Sequence, residues 1–316
     1  MAICFLFPGQ GAQYPGMGQD LFDDGSNIRD LFDLASDVTG RDCARLVFQS
    51  SEGELKETEN TQIAVSLINI ATAMVLEDRG IVSSACAGFS LGEIAALWNA
   101  GVLSTETTIA VSAERGRIMA EASRDHGSGD ESPGMAAVLG LDLEEAGPVL
   151  EELKDQGVYL ANHSSPTQIV VAGTAKGLDR ADELFEKAGA MRYVRLKVSG
   201  PFHSPMMESA RERFAEYLET VDFSDPDKTF ISNSTGTICR SGKEAKQNCI
   251  DQIVTPVRWV ATEEVLLGIG FDTYLETGPG SVLSGLWKSF YKKQKCLPMG
   301  TLEAIESLRE EAGKEA

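Results

Sequence analysis

The chain has no Cys-x-x-Cys pair, although it carries six cysteines: Cys4, Cys43, Cys86, Cys239, Cys249 and Cys296. Most of them sit in apolar surroundings, so the expectation is buried free thiols in a reducing compartment, with no metal site and no disulfide framework. Long apolar runs are missing too. No stretch approaches the length of a membrane span. The opening residues, MAICFLFPGQG, lack a basic start and run apolar only as far as Pro8, which reads as a first strand and not as a secretion signal. The expected setting is the cytoplasm. Basic charge is in short supply: 28 Lys and Arg stand against 48 Asp and Glu, a net charge of −20. Such a molecule repels nucleic acid and anionic membrane, which removes both as expected partners but leaves room for a local basic site. Histidine is as scarce as tryptophan. There are three, so a reaction that needs an imidazole base has only His126, His163 and His203 to draw on.

What is present is the composition of a globular protein, 42% apolar and 24% charged over 316 residues, enough for one large domain or two ordinary ones. A buried strand in AICFLF, closed by Pro8-Gly9, is followed by helical periodicity over 28–38 and 61–79. A small-residue strand, SSACAGFS, comes next, then helices over LGEIAALWNAG and 105–123. This is the rhythm of an α/β fold with a largely parallel sheet. The polar, glycine-rich stretch 124–134 reads as a linker. After it the order changes to strand, helix, strand, strand, helix, strand, ending with a strand over MRYVRLKVS. That is the ferredoxin-like arrangement, expected over 125–198 as a domain inserted into a core made of 1–124 and 199–316. The α/β rhythm then resumes to a charged tail.

The stretch Gly88-Phe89-Ser90-Leu91-Gly92 has the G-x-S-x-G spacing of a nucleophile elbow, in which a serine occupies a sharp strand-to-helix turn. Glycine on each side avoids the clash that a side chain would meet there. A serine nucleophile needs a base and oxyanion donors. Of the three histidines, His126 lies in the polar linker and His163 follows a strand of the inserted domain. His203, in VSGPFHSPMM where the core resumes, is expected at a strand exit of the sheet that carries Ser90. The Leu91 N–H opens a helix and is one oxyanion donor. The glycine-rich loop PGQGAQYPGMG offers a second near Gln10. Arg115 and Arg117 lie on a helix with a strongly apolar face, where solvated charge is the ordinary outcome, although Gly116 permits a close approach.

Taken together, FPGQGAQYPGMG, GFSLGE, ERGRIM, ANHSSPTQIVVAG, VSGPFHSPMM, QIVTPVRW and ETGPGSVLSGL, in that order, resemble the malonyl-CoA:acyl carrier protein transacylase family of fatty acid synthesis. The resemblance covers nearly the whole chain. It implies an α/β-hydrolase-like core with the inserted ferredoxin-like subdomain. It implies Ser90 as the acylated nucleophile, His203 as its base, and the main-chain carbonyl of Gln252 in place of a third carboxylate. Gln10 and Leu91 would supply the oxyanion N–H groups, and Arg115 would pair with the free carboxylate of the malonyl group. Phe202 matches the bulky residue that disfavours an α-branch. Phe89 departs from the histidine usual before the serine, which bears on pocket polarity and acyl selectivity. The implied partners are malonyl-CoA and acyl carrier protein, with no metal or redox cofactor and a monomeric state. Two basic clusters, Arg192, Arg195 and Lys197, and Lys288, Lys292, Lys293 and Lys295, are candidate docking sites for the acidic carrier. Competing readings are an acyltransferase of a polyketide pathway, a serine thioesterase, and a non-catalytic carrier-binding module.

Overall fold

The computed structural model describes residues 2–127, 129 and 131–315. Among them lie eleven strands: β1 (Ile3–Phe7), β2 (Ala85–Gly88), β3 (Gly134–Leu139), β4 (Val158–Ser165), β5 (Gln168–Gly173), β6 (Arg192–Arg195), β7 (Thr229–Ser232), β8 (Thr237–Cys239), β9 (Val257–Arg258), β10 (Thr273–Glu276) and β11 (Cys296–Pro298). They form two sheets, giving a mixed α/β fold. The larger has the order β11-β10-β1-β2-β7-β8, with every neighbouring pair parallel except β7 and β8.

The centre of this sheet follows from the apolar run at the start of the chain. Strands covered on both faces are apolar without interruption, and every residue of β1 is buried. The period of two sends Phe5 and Phe7 to one cluster, and Cys4 and Leu6 to another with Ala85, Ala87 and Trp259. Fully burying each of these large side chains contributes about 1.5–3 kcal/mol. On the Phe5 and Phe7 side lie two helices of 21 residues each, Thr58–Asp78 and Thr105–Asp125. The first is buried on nearly all sides, so the apolar stretch 61–79 is a core helix beginning slightly earlier than its periodicity indicates. No described helix is long and apolar enough to cross a membrane.

The smaller sheet has the order β6-β3-β5-β4-β9. Between its strands run the helices Leu143–Lys154 and Ala175–Lys187, which bury a third cluster that includes Val138, Leu153, Val171 and Phe185. Two expectations need correction here. The strand over MRYVRLKVS is short: only Arg192–Arg195 pair with β3, and the chain then leaves the sheet after one further bond, from Leu196 N–H to the Met135 carbonyl. His203 therefore does not sit at a strand exit of the sheet that carries Ser90. The strand before it belongs to the smaller sheet, and His203 lies on irregular backbone beyond it. The smaller sheet also takes an edge strand, β9, from far along the chain, parallel to β4. Part of the expected linker, Ser128 and Asp130, lies outside the described residues.

Candidate active site

β2 ends at Gly88, and the helix Gly92–Asn99 begins four residues later. Ser90 occupies the turn between them with φ of 50°. A Cβ at position 88 would lie 2.1 Å from the Gly92 carbonyl carbon, and one at 92 would lie 2.0 Å from the Phe7 carbonyl oxygen. Both glycines are thus required by backbone against backbone, and the elbow is pressed onto the end of β1. Phe89 N–H donates to the Phe7 carbonyl at 2.9 Å. The elbow is fastened to β7 as well. Glu93, in the first turn of the helix, accepts from Asn233 N–H (2.6 Å) and Ser232 Oγ (3.2 Å), while Asn233 Nδ2 donates to the Gly88 carbonyl (2.6 Å). Burial raises the Glu93 carboxyl to about 7, with these hydrogen bonds and the Arg115 charge opposing the rise.

His203 meets this serine across 113 positions of sequence, with Nε2 2.6 Å from Ser90 Oγ. On its other side Nδ1 is 2.8 Å from the Gln252 carbonyl. A carbonyl only accepts, so Nδ1 carries the proton and Nε2 is left as the acceptor for the serine hydroxyl. Burial, then the Arg115 charge, push the imidazole down to about 4, so it is neutral at physiological pH. Its φ is 58°; among the described residues Ser90 and His203 are the only non-glycine residues with positive φ. Strained backbone at both members of one hydrogen-bonded pair is a mark of a functional site.

Arg115 has no exposed surface. Its Nη1 donates to Gln62 Oε1 and its Nη2 to Gln252 Oε1, each at 2.8 Å, while Nε has no partner. Burial lowers the guanidinium to about 10, so it stays charged. Gln252 joins all three residues: its carbonyl accepts from His203, its Oε1 accepts from Arg115, and its Nε2 donates to the Ser90 carbonyl at 3.1 Å. Arg117, two residues on, is the solvated member of the pair and bonds Glu114 and Glu121.

The loop after β1 closes on the elbow. A Cβ at Gly9 would lie 2.3 Å from the Phe89 carbonyl oxygen and 3.6 Å from the Leu91 nitrogen. Neither the Gln10 nor the Leu91 N–H has a hydrogen-bond partner among the described residues. Asn69 Nδ2 anchors the loop by donating to the Pro8 carbonyl at 2.9 Å. An unprotonated imidazole on a hydroxyl, unpartnered N–H donors in the elbow and in the loop that closes on it, and a buried cation together suit acyl transfer through a serine ester, with an anionic group held by the arginine.

The other candidates fall outside this constellation. His126 caps the helix Thr105–Asp125 and lies 2.8 Å from the Met206 carbonyl through Nε2. His163 lies on β4 opposite Ile169 and Arg258. Phe202 is buried directly before His203. The Phe89 ring meets Trp259 edge-on at 5.4 Å, within the cluster around Cys4 and Leu6, so its side chain has an aromatic packing partner. The six cysteines are free and buried. A cavity of about 730 Å³ is lined by Thr58, Ser123, Arg195 and Ser199 and by none of the catalytic candidates, so its size does not mark the chemistry. Sequence reasoning missed Gln62, Asn69, Glu93 and the Gln252 side chain. The signal for two of them was a polar stripe, Gln62, Ser66 and Asn69, on a largely apolar stretch of core helix.

Known proteins resemble this chain over nearly its whole length. The model of the acyl transferase domain matches residues 4–310. The malonyl CoA-acyl carrier protein transacylase of Bacillus subtilis is 39% identical over 315 residues, covering 98% of each chain. The crystal structure of the enzyme abbreviated MCAT from Streptococcus pneumoniae superposes with a TM-score of 0.91 at 35% identity, covering 98% of this chain and 99% of that one. A malonyl-transacylase solved in complex with its type II polyketide synthase acyl-carrier protein superposes with a TM-score of 0.92 at 32% identity, covering 98% and 100%. Matched over nearly its whole length by the domain model and by the Bacillus subtilis relative, the chain belongs to the acyl transferase domain family.

Proposed function

We propose that this acyltransferase moves the malonyl group from malonyl-CoA to the phosphopantetheine thiol of acyl carrier protein through a malonyl-Ser90 ester. The observation that carries the reading is Arg115: a fully buried cation with an unpartnered Nε, tied through Gln252 to the serine and histidine. A guanidinium binds a carboxylate by two parallel hydrogen bonds, so a dicarboxylic acyl chain satisfies it and an acetyl group leaves it unpaired. A thioesterase acting on uncharged acyl chains has no use for such a group.

In the first half-reaction the Ser90 hydroxyl gives its proton to His203 Nε2 as Oγ bonds to the thioester carbon. The oxyanion rests on the N–H groups of Gln10 and Leu91. As it collapses, the carbon–sulfur bond breaks, and the imidazolium returns the proton to the departing CoA sulfur. In the second, the phosphopantetheine thiol gives its proton to His203 and attacks the ester carbon, and Ser90 leaves with that proton. Each oxyanion donor contributes about a hundred- to a thousand-fold in rate. Phe202 narrows the space at the α-carbon, and Phe89 acts on the acyl pocket through its packing on Trp259. These steps call on no metal or redox cofactor.

The region 1–124 with 199–316 is read as an α/β-hydrolase-like core, and 125–198 as a ferredoxin-like insertion; the strand order β6-β3-β5-β4 supports the latter. For carrier docking, Lys288, Lys292 and Lys295 are favoured over the cluster on β6. They line one cavity of about 520 Å³ that has no acidic residue in its wall, whereas Arg195 is paired with Asp179. Supply of a polyketide pathway is the second reading, supported by the likeness to the transacylase solved with a polyketide carrier protein. The test is intact-mass analysis after incubation with malonyl-CoA. The wild type gains one malonyl group and loses it to added carrier protein, and Ser90→Ala gains none. A malonyl adduct on Ser90→Ala, or CoA release at full rate with no acceptor, refutes the proposal.

A further inference from the structure

We propose that Gln62 is a positioning residue that sets the preference of the pocket for a charged acyl group, because it holds Arg115 through a neutral carbonyl and so fixes the guanidinium without cancelling its charge. This rests on the reading of Arg115 given above. A buried arginine is ordinarily held by a carboxylate, which fixes it and neutralises it in one step. Here both anchors are amide carbonyls, Gln62 Oε1 and Gln252 Oε1, each at 2.8 Å. No carboxylate lies within ion-pair distance of Arg115 among the described residues. Buried Glu93 feels the Arg115 charge but forms no ion pair with it, so the guanidinium is left without a paired anion and with Nε unpartnered, a costly state unless an anion arrives to share it.

Gln62 is built for this position. It lies on the helix Thr58–Asp78 and is buried. Its amide is held one way round. Oε1 faces a guanidinium, which only donates, and Nε2 lies 3.9 Å from the Met119 sulfur, which only accepts. Gly116, beside Arg115, lets the two long helices close: a Cβ there would lie 2.9 Å from Gln62 Cβ and 3.1 Å from Glu59 Cα. Glutamate has the same length and shape but would pair with Arg115, and the pocket would then lose the charge that calls for a carboxylate.

The experiment compares wild type, Gln62→Glu and Gln62→Met, reading the loading of Ser90 from malonyl-CoA and from acetyl-CoA separately, with kcat and KM for each. In Gln62→Glu the KM for malonyl-CoA rises at least tenfold, with a smaller change in kcat, and the acetyl-to-malonyl ratio of kcat/KM rises at least tenfold. In Gln62→Met, which cannot anchor the guanidinium and adds no charge, malonyl loading weakens and acetyl loading does not improve. A Gln62→Glu protein that folds and keeps the wild-type ratio overturns the proposal. Should Gln62→Glu fail to fold, equal loss of both substrates in Gln62→Met overturns it. Arg115→Ala separates this failure from that of the underlying reading: if its acetyl-to-malonyl ratio equals that of the wild type, Arg115 does not select the acyl group and both fall together.

Discussion

Loading of Ser90 should persist well into acid. His203 accepts the serine proton only while Nε2 is unprotonated, and burial together with the Arg115 charge holds its pKa at about 4. An ordinary imidazole, with a pKa of about 6.5, is unprotonated in roughly 3% of molecules at pH 5, whereas one at about 4 is unprotonated in roughly 90%, a difference of about thirty-fold in loading rate. The assay is single-turnover loading from malonyl-CoA by rapid quench and intact mass between pH 4.5 and 8, with far-UV circular dichroism to confirm the fold at each point. The expected rate at pH 5 is within about twofold of that at pH 7.5. A rate that halves near pH 6.5 and falls tenfold for each further unit would refute the reasoning, since His203 would then behave as a solvated imidazole. Arg115→Gln, read with acetyl-CoA, separates the two causes: the acid limb moves up but stops short of the ordinary value, because burial is the larger. The same shift acts on stability with a definite sign. Between about 6.5 and about 4 the unfolded chain binds a proton that the folded chain refuses, so this group removes about 1.4 kcal/mol of stability for each unit the pH falls through that window.

Three other predictions follow from separate observations. Gly92→Ala forces a Cβ to within 2.0 Å of the Phe7 carbonyl oxygen, backbone that cannot yield, so the urea midpoint should drop by the equivalent of about 3 kcal/mol and loading should be lost; a wild-type midpoint would show the elbow to be looser than described. Reversing Lys288, Lys292 and Lys295 to glutamate should raise the KM for carrier protein about tenfold at low salt and leave malonyl-CoA loading unchanged, and an unaltered KM would remove this face as the docking site. Glu263 is buried with Oε2 unpartnered, and burial pushes its carboxyl to about 9, so it stays protonated in the folded chain from about 4.5 up to that value and stability falls as pH rises. Glu263→Gln should therefore gain on the wild type by about 1.4 kcal/mol per unit between pH 6 and 8 in urea titrations, and a gap constant with pH would count against it.

Much of this site is legible from local sequence, and the parts that are not share a cause. Ser90 is readable because the residues that shape its turn, Gly88 and Gly92, lie two positions away on either side. β1 is readable because a strand covered on both faces has to be apolar throughout. β9 is not, since two residues carry no period, and the sheet it completes is assembled from residues about a hundred positions apart. The short helices Gln19–Asp24, Cys43–Phe48 and Glu52–Lys56 escape for the same reason. His203 is found by counting histidines, but its real position is not, because the strand preceding it pairs in the other sheet.

Gln62 and Asn69 show what a closer reading could recover. Both sit in a helix whose buried surface is mostly apolar, and their partners, Arg115 and the Pro8 carbonyl, lie 53 and 61 positions away. No local pattern names those partners. Burying an amide without a partner is nevertheless expensive, so a polar stripe at 62, 66 and 69 on a core helix requires polar groups opposite it. One is the guanidinium, another is the Ser112 hydroxyl, 2.9 Å from Ser66 Oγ, and the third is the loop that carries Gln10. A single helix thereby holds both Arg115 and the loop that carries Gln10, which is why this polar stripe runs along the side turned to Ser90 and His203.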